Sequence, residues 1–186
     1  MTFWDHLDEL RGVLFRSAIA VFILTVIVFI NKKIVFDNII FAPVNSEFVL
    51  YKWFESLAVI TGIDAIKPAP FSIELINIEL SAQFFTHVSV SLTLAFILSV
   101  PFILYQLWSF VSPGLYEKEK KSVKRGFGFA SLLFFIGVLV GYFFVFPLTV
   151  RFLGTYQVSD WVVNQISLKS YISMFTWLIL IMGIVF

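Results

Sequence analysis

The chain has 186 residues, of which 60% are hydrophobic and only 13% charged, with 24 Phe, 5 Trp and a formal net charge of +1. Soluble domains carry roughly 25% charged residues, and a charge this close to zero offers no surface for nucleic acid. The chain has no cysteine, which excludes disulfides and thiolate metal sites.

Several apolar runs reach about 20 residues, the length at which a helix crosses a bilayer. The chain therefore reads as an all-α, polytopic integral membrane protein. Residues 1–11 precede the first run. In "WDHLDELRGVLFR" the apolar Leu7, Leu10, Val13 and Leu14 recur at helical spacing. Asp5, Asp8 and Glu9 fall near the start of that helix, where acids favour its dipole. The first span covers residues 12–30; it is too long for a signal-peptide core and has no small-residue cleavage motif.

Residues 31–82 mix short β-branched and aromatic runs with "KPAPF", Lys67 to Phe71, whose two prolines impose an extended stretch. Short amphipathic helices or caps at the membrane surface are expected there. The second span covers residues 84–111, with a kink expected at Pro101. Gln106, near its end, is a candidate interhelical hydrogen-bond donor. "SPG" at 112–114 then makes a turn, and "LYEKEKKSVKR" restarts a helix within a 112–126 connection. Glu117 and Lys121 stand four apart, the spacing of a surface ion pair.

The third span covers residues 127–148. It contains "GVLVG", Gly137 to Gly141, a pattern for close helix packing, and Pro147 reads as its stop. A 149–167 connection leads to a fourth span over 168–186. That run is still apolar at Phe186, where the sequence stops, so it reads as an incomplete helix.

Lys and Arg beside the spans set orientation. They cluster as Arg11 and Arg16 near the N-terminus and as Lys118, Lys120, Lys121, Lys124 and Arg125 after the second span. Both regions are therefore expected on the cytoplasmic side. Two readings of these clusters stand side by side. The plainer one is an interfacial helix with snorkelling arginines and a solvated positive-inside anchor. The sharper one makes Glu9 part of a site for a cationic ligand, oriented by Arg11; Glu119 differs from Glu117 in being flanked by Lys118 and Lys120.

The two histidines, His6 and His87, are too far apart in sequence to suggest a zinc site. No phosphate loop, dinucleotide fingerprint or nucleophile elbow is present, so neither cofactor nor enzyme chemistry is expected. A secondary transporter of a small solute is the alternative from another class. It calls for an intramembrane acid and inverted repeats, and neither is visible.

Taken together, four motifs resemble TatC, the receptor subunit of the twin-arginine protein translocase. They are "HLDELR", "FAPV" at Phe41 to Val44, "SVPFILYQLWSFVSPGLYEKEKK" and "GYFFVFPL" at Gly141 to Leu148. The resemblance runs the length of the chain and implies six membrane helices in a concave, glove-like wall, of which about four are represented here. It implies export of folded proteins bearing twin-arginine signal peptides, driven by the proton-motive force, from a multi-pass protein of the cytoplasmic (inner) membrane with a cytoplasmic N-terminus. TatA- and TatB-type single-span subunits and further copies of the chain are the implied partners. The signal-binding glutamates of the family fall on Glu9 and Glu119; Glu117 is not at the matched position. Arg11, Leu115, Tyr116 and Lys121 match other positions of those two motifs. Pro43, Phe84, Pro101, Gln106 and Pro147 match the family pattern elsewhere. An acidic residue in the family's fourth span would follow about where this sequence ends, so peptide binding is expected to be better represented here than transport.

Overall fold

A computed structural model describes residues 3–45, 47–63, 74–157, 159, 161 and 165–186; the "KPAPF" stretch lies outside the described residues. Helix α1 (Phe3–Ile30) is unbroken, so the N-terminal charged turns and the first span are one rod of about 42 Å. Short α2 (Lys32–Val35) follows, then a π-turn over Phe36–Ile40 and a 3-10 turn over Ala42–Val44. Helix α3 (Val49–Thr61) ends at Gly62, whose left-handed φ of 70° closes it. Strand β1 (Leu75–Ile76) precedes α4 (Ala82–Val111). Helix α5 (Glu117–Val140), a π-turn (Gly141–Val145) and α6 (Phe146–Thr155) make a third long rod. Strand β2 (Ile166–Ser167) leads into α7 (Leu168–Val185).

Five segments of the described residues are long and apolar enough to cross a membrane: His6–Ile30, Lys32–Thr61, Ala82–Gly114, Glu117–Thr155 and Leu168–Val185. The second, not anticipated among the spans, is not a single rod. Its centre is tied by tyrosine hydroxyls to one end of the bundle. Tyr142 donates to the Ile39 carbonyl (2.9 Å) and Tyr171 to the Ile40 carbonyl (2.6 Å). Tyr51, on α3, donates to the carbonyls of both Pro43 and Pro147, each at 3.1 Å. The segment therefore folds back on the end where α1 finishes and α7 begins.

Helices α1 and α4 pack antiparallel, and two aromatic stacks mark the ends of the pair. His6 lies 4.3 Å from Phe110, and Phe29 lies 3.9 Å from His87, by ring centroids. Along both helices these stacks are 23 residues apart, about 35 Å at 1.5 Å per residue, enough to cross a hydrocarbon layer of about 30 Å. The His87 Nε2 also meets the Phe29 carbonyl at 3.1 Å; a carbonyl only accepts, so Nε2 carries the proton.

Helix α7 packs against both α4 and α5. Against α5 the "GVLVG" glycines give the close approach that their spacing predicts. A Cβ at Gly137 would overlap the Met182 carbonyl, and one at Gly141 would press on the Met182 side chain at 3.0 Å. Gly183 of α7 meets Phe134 and Val138 from the other side. The buried centre, with Phe146, Tyr171, Ile172, Phe175 and Ile179, lies where α7, α4 and the π-turn meet.

The expectation for the third span needs correction. Pro147 is not a stop: it follows a π-turn, Gly141–Val145, and lies in the first turn of α6. The chain stays helical to Thr155. Pro101 lies inside α4, which runs as one helix from Ala82 to Val111. The all-α reading gains one small exception. β1 and β2 pair in parallel, Leu75 with Ile166 and Ile76 with Ser167, beside a Lys169–Glu79 ion pair of 2.9 Å.

Candidate functional site

The His6–Phe110 stack joins the N-terminal turns of α1 to the last turn of α4. Trp108, two residues earlier, lies 6.0 Å from Phe127 of α5. These contacts bring "HLDELR" and "SPGLYEKEKK" to one end of the bundle, opposite the end that holds His87. The turn between α4 and α5 follows from its residues. Pro113 sits at the start of a 3-10 turn, Ser112–Gly114, and Leu115 and Tyr116 are extended. Glu117 then begins α5.

Glu9 is half-buried, and its Oε2 is shielded from solvent with no hydrogen-bond partner among the described residues. A shielded carboxylate oxygen without a donor costs about 1–3 kcal/mol or more. Arg11 does not supply that donor: it is exposed and forms no ion pair with a described residue. Residues two apart on a helix point away from each other, which corrects the expectation that Arg11 orients Glu9.

Glu119 is exposed and acts partly as a helix cap. Its Oε2 accepts from the Tyr116 backbone N–H at 3.3 Å, while its own N–H donates to the Tyr116 carbonyl at 2.9 Å. This is the N3 acid of a capping box. Oε1 is left for another donor. Glu117 takes the neighbouring charge instead: Lys120 Nζ lies 2.7 Å from its Oε1. The pair is thus three apart, not the expected Glu117–Lys121, and Lys121 is exposed with no ion-pair partner among the described residues. Leu115 is half-buried and Tyr116 exposed.

The remaining motif residues divide by position. Gln106 is buried on α4 near this charged end, and no hydrogen bond joins it to a described residue. Pro43 and Pro147 are buried at the opposite end, bridged by Tyr51. Phe84 is exposed there. The two histidines lie at opposite ends of the α1–α4 pair. Sequence reasoning missed the structural part of Tyr51, Tyr142 and Tyr171. The only signal for them was their position near helix ends.

These features define a polytopic helical membrane protein with carboxylates and lysines gathered at one end. Comparison with known proteins gives the family. Residues 5–186 match the family model "TatC: Sec-independent protein translocase protein (TatC)", and the chain belongs to that family. It is 36% identical to the Sec-independent protein translocase protein TatC of Blattabacterium from Periplaneta americana, over all of this chain and 71% of that protein. It is 32% identical to the TatC of Campylobacter jejuni, over 97% of this chain and 65% of that one. A crystal structure of the twin-arginine translocase receptor TatC in DDM superposes with a TM-score of 0.70 at 31% identity, over 96% of this chain and 70% of that one. The chain spans 44% of the Halothiobacillus neapolitanus TatC; the curated relatives it matches are longer than it is.

Proposed function

We propose that the end bearing "HLDELR" and "SPGLYEKEKK" binds twin-arginine signal peptides on the cytoplasmic face of a bacterial inner membrane. Glu9 and Glu119 are the acceptors in this reading. A carboxylate accepts a guanidinium through two parallel hydrogen bonds, a fork that lysine does not reproduce. The observation that carries the reading is the shielded Oε2 of Glu9, without a partner among the described residues, at the same end as the open Oε1 of Glu119. A ligand bringing two adjacent guanidinium groups supplies the donors that both oxygens lack.

Lys118, Lys120, Lys121, Lys124 and Arg125 hold this end on the cytoplasmic side and disfavour single cations. Bound cargo would pass to TatA- and TatB-type single-span subunits, with further copies of this chain in the assembly. The proton-motive force would drive the transfer. Photo-crosslinking tests the reading: a twin-arginine peptide, beside a Lys-Lys control, is offered in membranes to a photoreactive residue at position 119. A crosslink with the Arg-Arg peptide alone is expected. No crosslink with either peptide, from folded protein, returns the stretch to a positive-inside anchor.

A further inference from the structure

At the end opposite the proposed peptide site, a cavity of about 740 Å3 opens between α2, the following π-turn and the first turns of α4. Its charged lining is Lys32, Lys33 and Asp37, and its apolar lining includes Phe36, Phe41 and Phe84. We propose that this cavity holds the headgroup of an anionic glycerophospholipid. Lys32 and Lys33 would take the phosphate, and the phenylalanines would take the start of the acyl chains.

Four observations support this. Both lysines are exposed and neither forms an ion pair with a described residue. The other described lysines at this end, Lys52 and Lys169, are paired with Glu47 and Glu79. The cavity lies beside the Phe29–His87 stack, about 35 Å along the α1–α4 pair from the far stack. That depth is where phosphates meet acyl chains. The lining divides into a cationic and an aromatic part, as an amphipathic ligand does. Its formal charge of +1, two lysines against Asp37, balances a singly charged lipid. Asp37 and Gln83 are also suited to headgroup hydroxyls, the carboxylate as acceptor and the amide as either partner.

His87 contributes to the shape of the cavity wall. Its Nε2 is committed to Phe29, and its ring stacks on Phe29 and meets Phe36 edge-on at 5.7 Å. The cavity wall is therefore built before a lipid arrives. Two unpaired lysines at the end opposite the cationic cluster also run against the charge asymmetry that sets orientation, and a lipid phosphate gives them a partner.

The test is native mass spectrometry of the full chain in detergent, titrated separately with phosphatidylglycerol, phosphatidylcholine and inorganic phosphate. Retention of phosphatidylglycerol alone is expected. The double variant Lys32→Gln/Lys33→Gln should weaken that binding about thirtyfold, the effect of two interfacial lysines. Lys32→Arg/Lys33→Arg should keep it, and Lys52→Gln should leave it unchanged. Equal retention of phosphatidylcholine overturns the proposal, as does an equal loss with Lys52→Gln, which would mean general surface attraction. Tight binding of inorganic phosphate would also overturn it, by making the cavity a small-anion site. If the Gln variant does not fold, failure of the Arg variant to hold phosphatidylglycerol decides against the lipid.

Discussion

Glu119 has two tasks that substitution separates. Glutamine at N3 keeps the bond to the Tyr116 amide but loses the charge that a guanidinium requires. Glu119→Gln should therefore leave the melting temperature unchanged and weaken a twin-arginine peptide about ten- to a hundredfold, the span of one lost charge-assisted bond. Fluorescence anisotropy with a labelled peptide checks it, and unchanged affinity would remove Glu119 from the site. Glu9→Gln should weaken the peptide similarly. It should also stabilise the free protein slightly, because a shielded, unpartnered charge is removed. Tyr51→Phe deletes the hydroxyl shared by Pro43 and Pro147 and should lower stability by about 1 kcal/mol, read by thermal unfolding in detergent, with peptide affinity intact.

Among the elements, the contact of α5 with α7 leaves no room for added volume at Gly137 or Gly183. Gly137→Leu should separate the two helices or force Met182 aside, lowering stability by about 1–3 kcal/mol. Gly126→Ala, on the same helix with open space around it, should be neutral in the same unfolding assay. The long apolar helices other than Lys32–Thr61, and the "GVLVG" contact, were legible because runs of about 20 apolar residues and paired small residues have few other uses. The fold-back of residues 39–51 was not legible. It depends on tyrosine hydroxyls reaching backbone carbonyls, and a carbonyl carries no sequence signature. Pro147 misled for a related reason: a π-turn ahead of it depends on packing around Gly141, not on local propensity. The acids of the candidate site were visible as residues. That one oxygen of Glu119 would cap α5, and that Lys120 rather than Lys121 would meet Glu117, depended on where the helix started.

In the whole molecule the charged face and the lysine-lined cavity lie at opposite ends of one antiparallel pair. Because the chain has no cysteine, this is open to direct test. Cysteine pairs at 6 and 110, or at 29 and 87, should be joined by a short bifunctional thiol reagent, and a pair at 6 and 87 should not. Joining of the last pair would refute the packing of α1 on α4. The equal spacing of the two stacks carries a further consequence. The Phe29–His87 stack sets the rotational phase of α1 from the far side of the bilayer, and Glu9 inherits its bearing from that distant anchor. Deleting one residue anywhere between them turns Glu9 about 100° around the helix axis, away from its shielded position, although no residue near Glu9 has changed. The length of the first membrane helix is thus itself part of the proposed binding site.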